Sequence, residues 1–512
     1  MPWTSNKFLM WFFIIWSSLI ISGISASQLF AQISGNKIDF KAIDTYIGEK
    51  MRVPRIPGLA VAIVKNDQIV YLKGYGEANS AGRSVTPQTS FIIGSVTKAF
   101  TALAVMQLVE AGKVKLDAPV QRYIPWFGVA DSVVSAKITV RQLLNQTSGL
   151  PMLREPQFWT KLDDQALERT VRFLKTKKVD FPPGQSFGYS NANYETLGLI
   201  VQKVSGQLYE EYIKQSIFGP LDMRNSFVSQ EEALQHEMAS GYRWWYGIPF
   251  PATFPYNRSE LPAGYIFSSA EDMAHFLIAQ MNSGKYRNAH VLSPEGITLT
   301  HTEPVPNTYG MGWEPFEIDG HNLINHDGGT ANFQSSVFFD PDERIGVFIA
   351  ANVMCALDAF SSPHGSTALD GSTVRGMAQH ILSIAANRTP PKQGIGVRNL
   401  YIIFDIMILA LTMLLIISLR RVSRRYQKLK QRGIPTRSDF IRRITLISIL
   451  HFVWPLLILY LLINALLWKV LTMFQPDLIY WLEIVAVIVF VKGLLELFLV
   501  CQVFRQWRSC KN

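Results

Sequence analysis

The sequence predicts an α+β fold, an antiparallel sheet flanked by helices plus a helical lobe, followed by three transmembrane α-helices. Three observations lead there. Strand-like runs stand at both ends of residues 35–386, with helical patterns between them; this order suits α+β rather than alternating βαβ units. Three apolar runs follow, Leu400–Leu419, Ile444–Trp468 and Leu478–Val500, each long enough to span a bilayer. Between the first two lies 420–443, where ten Lys/Arg face one acid, Asp439, and this window carries +9 of the chain's net charge of +10.

Residues 1–31 have the layout of a signal peptide or signal anchor. Lys7 precedes the apolar run Phe8–Ile24, and small residues follow at Ser25–Ser27 and Ala31. Residues 35–50 read as a short amphipathic helix. Pro57–Val64 and Ile69–Gly76 read as a β-hairpin around Lys65–Gln68. An apolar run then stops at Gly94, and a helical pattern begins at Ser95 and ends near Gly112. Ile138–Leu150 reads as a helix with Thr139 as N-cap and a break at Gly149. Residues 164–176, Ser190–Val204 and Ser269–Ser283 read as helices, and the aromatic stretch 241–262 as a loop edging a cleft or packed beneath it. Phe333–Phe339 and Ile345–Ala350 flank the turn Asp340–Arg344 as a second hairpin, and Thr373–Ala386 closes the domain. Residues 387–399 form a linker to the membrane region, 400–504.

A basic run between apolar runs is a cytoplasmic loop. With 420–443 inside, the globular domain lies outside the cell membrane, the side to which the N-terminal segment also directs it. The remaining chain is close to neutral, so no nucleic-acid partner is expected. Cys355, Cys501 and Cys510 have no metal or disulfide spacing. Inside the third run, Lys492 and Glu496 stand at i, i+4 and can pair as glue between helices or as part of a proton path. The spans also offer a surface for homo-oligomer formation.

Lys98 follows Ser95 by three residues and therefore shares its helix face, a nucleophile with an amine one turn away. A lone Ser-x-x-Lys is a weak signal. It gains weight from Tyr189-Ser190-Asn191, from His326-Asp327-Gly328-Gly329 and from Leu143–Pro151 between them. At these residues the chain resembles the serine β-lactamase and penicillin-binding superfamily, and within it the class C β-lactamase-related branch, over about residues 40–385. The resemblance implies a β-lactamase/transpeptidase-like domain and an acyl-enzyme on Ser95. It implies that Lys98 or Tyr189 acts as base, and that the backbone N–H groups of Ser95 and Gly329 hold the oxyanion. Asn191, His326, Gly328 and Gly329 would bind substrate. No metal or cofactor is implied. Two departures stand out. Gln146 occupies a position where the branch commonly has His, and Lys-Thr-Gly is absent, which removes a cationic anchor for a β-lactam carboxylate.

The layout is also similar to membrane-bound peptidases that activate nonribosomal-peptide prodrugs, of the colibactin type, and to FmtA-like cell-wall proteins. The expected function is hydrolysis of an amide or peptide bond in a D-amino-acid-containing peptide, with a small peptide or acyl-amide as substrate. The alternatives are a β-lactamase, a D-alanyl esterase, or a penicillin-binding sensor that acylates without turnover.

Overall fold

The computed structural model describes residues 38–52, 55–153, 162–245, 247–253, 255–302, 309–318, 320–354, 374–390, 397–434, 436–453, 456, 460 and 476–509. The N-terminal segment 1–31, the domain start at 35–37, linker residues 391–396, Cys355 and Cys510 lie outside them.

Phe40–Arg52 (α1) is amphipathic, with Ile43, Tyr46 and Ile47 buried at helical spacing. Gly58–Lys65 (β1) and Gln68–Gly76 (β2) form the expected hairpin, which turns at Asn66 with φ 59°, a value asparagine tolerates. β1 is apolar throughout because it lies between two cores. Ala60, Ala62 and Val64 face one core, and Leu59, Val61 and Ile63 face the other.

Ser90–Ile92 (β3) passes through a 3-10 turn, Gly94–Val96, into Thr97–Glu110 (α2). The regular helix thus begins two residues after the expected start, because Gly94 takes φ 52°, a left-handed turn that an α-helix cannot extend back through. Val140–Leu144 (α3) has the expected Thr139 cap, completed by Gln142 as a capping box. It stops well short of Gly149, since Gln146 adopts φ 58° and takes the chain out of the helix. Ala166–Phe173 (α4) precedes Asn191–Ser205 (α5), which is capped by the Ser190 hydroxyl and closed by Gly206 at φ 76°.

The aromatic stretch 241–262 is not a plain loop. Tyr242–Trp245 (β4) and Ile248–Pro251 (β5) pair antiparallel across Gly247 at φ 70°. Phe267–Ser269 (β6) pairs with β3 and leads into Ala270–Met281 (α6). Glu314–Ile318 (β7), His321–Gly329 (β8), Gln334–Asp340 (β9) and Ile345–Ala351 (β10) complete the main sheet, in the order β2-β1-β10-β9-β8-β7 with every pairing antiparallel. Val353–Met354 (β11) pairs parallel with β4 and gives a second sheet, β11-β4-β5. Val374–Ala385 (α7) covers the back of the main sheet beside α1, and the rings of Tyr46 and His380 stack with centroids 3.9 Å apart. α6 and the helical lobe cover the front.

Beyond the domain lie Val397–Arg432 (α8), Arg437–Ser448 (α9) and Pro476–Ser509 (α10). Among the described residues two helices are long and apolar enough to cross a membrane, Asp405–Arg432 and Ile479–Ser509, with mean hydropathy 2.0 and 2.6. They correspond to the first and third apolar runs, so two such helices stand where three were expected. The second run is described as far as Val453, as α9 and a π-turn at Ile449–Val453, and most of its remainder lies outside the described residues. Lys492 Nζ is 3.7 Å from Glu496 and 3.1 Å from His451 Nε2.

Candidate active site

The site forms where α2, α5 and β8 meet on the front of the sheet. Ser95 sits in the 3-10 turn ahead of α2, and the Lys98 amine stands 3.0 Å from its Oγ. Lys98 is fully buried, and its Nζ also contacts Asn191 Oδ1 at 2.9 Å and the Ala263 carbonyl at 2.6 Å. Burial pushes this amine down to about 7, against the opposing pull of Glu260, Glu195 and Glu314. Near neutrality a large share is therefore uncharged. A neutral amine has two N–H groups and one lone pair. Asn191 Oδ1 and the Ala263 carbonyl are acceptors only, so they take the two N–H groups and leave the lone pair for the Ser95 hydroxyl.

Tyr189 lies just before α5. Its hydroxyl lies near Ser95, and the Lys98 amine is 4.8 Å from its ring centroid. Burial raises the Tyr189 hydroxyl far above the ordinary phenol range, so it stays protonated at neutral pH. Gln146 secures this turn. Its Oε1 accepts from Ser190 N at 3.0 Å and from Asn193 Nδ2 at 2.5 Å. The departure at Gln146 is thus a buried brace for the segment that carries Tyr189 and Asn191.

β8 lies directly against the turn that holds Ser95. A Cβ on Gly328 would fall 1.9 Å from the Ile93 carbonyl oxygen, and one on Gly94 would fall 2.3 Å from Gly329 N. Glycine is required at both faces of this seam. Ser335, on the neighbouring strand, donates to the same Ile93 oxygen at 2.7 Å. Ser95 and Gly329, whose N–H groups the resemblance assigns to the oxyanion, belong to these two touching segments.

His326 is 1% exposed. Its Nδ1 is 2.7 Å from the Asp327 carbonyl, which only accepts, so Nδ1 carries the proton and Nε2 accepts from Tyr309 Oη at 3.0 Å. Burial pushes the ring down to about 3, and the imidazole is neutral. Tyr309 in turn meets Tyr189 edge to face, with centroids 6.0 Å apart. His326 thus contacts Tyr309, which in turn packs against Tyr189.

The structure gathers Ser95, Tyr189 and Asn191 around the Lys98 amine, and it sets Gly328 and Gly329 against the turn that holds Ser95. Sequence reasoning missed four neighbours. Glu195 is one helical turn beyond Asn191 and almost fully buried, and its Oε2 has no hydrogen-bond partner among the described residues. Burial and the charge of Glu260 raise its carboxyl well above the usual range. The i, i+4 spacing from Asn191 could have flagged it. Arg375 pairs with Asp327 and lies 3.8 Å from Glu314. The Ala263 carbonyl and Tyr309 left no signal in the sequence. Elsewhere, ligand atoms of His321, Asp340 and Glu343 gather within 4.8 Å, but Arg388 pairs with Asp340 and, at 2.7 Å, with Glu343, which makes the group an ion-pair cluster.

The beta-lactamase family description matches residues 43–359. The chain belongs to the beta-lactamase family. Within that family it is 32% identical to protein Flp of Staphylococcus aureus (strain COL) over 313 residues, 61% of this chain and 62% of Flp. It is 30% identical to penicillin-binding protein 4 of Amycolatopsis lactamdurans over 319 residues, 60% of this chain and 83% of that protein. The structure of the octameric penicillin-binding protein homologue from Pyrococcus abyssi superposes with a TM-score of 0.59 and 30% identity. That superposition covers 70% of this chain and 79% of that one. The chain thus spans under two thirds of Flp, and beta-lactamase-family membership is what these likenesses share.

Proposed function

We propose that the protein is a membrane-anchored serine hydrolase with an extracytoplasmic domain, acting through an acyl-enzyme on an amide bond in a D-amino-acid-containing peptide, either a prodrug or a cell-wall peptide. The observation that carries this reading is the Lys98 amine, buried and 3.0 Å from Ser95 Oγ, with its two N–H groups engaged by Asn191 and Ala263. Lys98 takes the Ser95 proton as Oγ bonds to the carbonyl carbon. The tetrahedral oxyanion rests on the N–H groups of Ser95 and Gly329. As the C–N bond breaks, Tyr189 gives its proton to the departing amine and recovers one from the Lys98 ammonium. Water then attacks the ester with Lys98 again as base, releasing the acid and restoring Ser95. The three apolar runs, with the basic loop 420–443 inside, support an inner-membrane, multi-pass placement.

The full chain, purified beside Ser95→Ala, is to be assayed on a cephalosporin, a D-Ala-D-Ala peptide, an N-acyl-D-asparaginyl amide and a simple ester. Steady product release from a D-aminoacyl amide, abolished in Ser95→Ala, is the expected result. A rate on the cephalosporin or ester alone would replace the peptidase reading with β-lactamase or esterase. Stoichiometric Ser95 labelling by a penicillin without turnover would replace it with a sensor.

A further inference from the structure

We propose that the β4–β5 hairpin is a lipid-seated foot that rests the domain in the outer leaflet beside the end of α10. This rests on reading the three apolar runs, which include α8 and α10, as membrane spans. The register decides which side chains point outward. Arg243 stands opposite Phe250 and Trp245 opposite Ile248, and directly opposed and alternate residues share one face of a hairpin. The other face carries Tyr242 and Trp244, both buried in the core behind the main sheet. On the outward face Trp245 is 39% exposed, Ile248 46% and Phe250 52%. Three neighbouring large apolar side chains on one such face mark a contact surface rather than scattered exposure.

Position identifies what they contact. The Trp245 and Tyr480 ring centroids are 5.8 Å apart, and the Arg243 charge is near that of Asp477. Both partners are in the first two turns of α10, whose apolar window opens at Ile479. With the 420–443 loop inside, that end of α10 lies at the outer interface. Trp and Tyr favour this depth, and arginine can reach from it to headgroups or acids while its stem stays in apolar surroundings. A hairpin held there by Tyr480 puts Ile248 and Phe250 at the boundary between headgroups and acyl chains. The same sheet reaches the chemistry, since β11 pairs with β4 and its Met354 Cε is 3.3 Å from where a Cβ on Gly329 would stand. Two strand spacings, roughly 10 Å, therefore separate the strand beside Gly329 from the outermost strand of the foot.

The test uses the full chain in phosphatidylcholine nanodiscs, with native cysteines replaced and activity retained. Single cysteines at Phe250→Cys, at Phe498→Cys in α10 and at Val133→Cys in the helical lobe carry an environment-sensitive fluorophore. All three positions are at least half exposed, so the label displaces no core. With doxyl-labelled lipid included, the probes at 250 and 498 are expected to lose most of their emission while that at 133 keeps it. Retained emission at 250 with loss at 498 would overturn the foot and leave the spans standing. Retained emission at both would overturn the span reading and the foot with it. A concentration-dependent spectral shift at 250 in detergent without lipid would assign the face to a second copy of this chain, again overturning the proposal.

Discussion

Asn191 Oδ1 accepts a hydrogen bond from Lys98 Nζ at 2.9 Å. The resemblance gives Asn191 to the substrate, but its carbonyl end is already engaged in orienting the amine. Only its amide NH2 end is then offered to a substrate carbonyl. Asn191→Asp would place an anion against Lys98 and favour the ammonium, raising the pKa of that amine. Because the reaction needs the neutral amine, the acid limb of kcat/KM should move upward by about 1–3 pH units. A pH–rate profile of the variant checks this, and an unmoved limb would separate Asn191 from the base.

In the native protein the same limb should fall near pH 7, the value to which burial brings Lys98. Below it the ammonium predominates and the rate falls about tenfold per pH unit, while above it the rate levels off. Lys98→Met keeps the volume, removes the lone pair, and should lower kcat about 100-fold or more. Steady-state kinetics across pH 5–9 measure both.

Glu195 is buried near Lys98, and burial with the charge of Glu260 raises its carboxyl well above the usual range, toward the neutral form. Glu195→Gln exchanges one neutral group for another, so activity should stay within about threefold and the acid limb should not move. Were Glu195 ionised, the change would remove an anion near Lys98, lower the amine's pKa and shift the limb to lower pH. The pH profile distinguishes the two cases.

Gly328→Ala should separate β8 from the nucleophile turn, since the new methyl would stand 1.9 Å from the Ile93 oxygen. The expected loss in kcat is about 100-fold or more, the scale of losing an oxyanion donor. Circular dichroism should show the secondary structure retained.

Gln146→Ala removes the acceptor for Ser190 N and Asn193 Nδ2. Two buried donors lose their partner, at about 1–3 kcal/mol each, and alanine inherits the left-handed φ of 58°. The thermal midpoint should fall, and kcat should fall more than KM rises as Tyr189 loses its support. Melting curves and steady-state kinetics read the two effects.

Local chemistry made much of this legible in the sequence. The β1–β2 and β9–β10 hairpins follow from apolar runs around turn residues, and the Thr139 cap from a hydroxyl ahead of a helix. The spacing of Ser95 and Lys98 already puts them on one face. The groups that tune Lys98 are another matter. The Ala263 carbonyl is 165 residues away in sequence and is a backbone atom that any residue would supply. Tyr309 and His326 meet only once β8 is aligned in the sheet. The early end of α3 was illegible because Gln146 adopts a conformation usually left to glycine, held there by partners on α5.

The Tyr46–His380 stack joins the first and last helices of the domain, and both belong to the core on the side of the sheet away from Ser95. The first and last helices of the domain therefore pack together on one side of the sheet. A mechanical pull on either end, from a span or from whatever precedes α1, is borne first by α1, α7 and the back of the sheet. The Ser95 turn packs into the other core, across the sheet from these two helices.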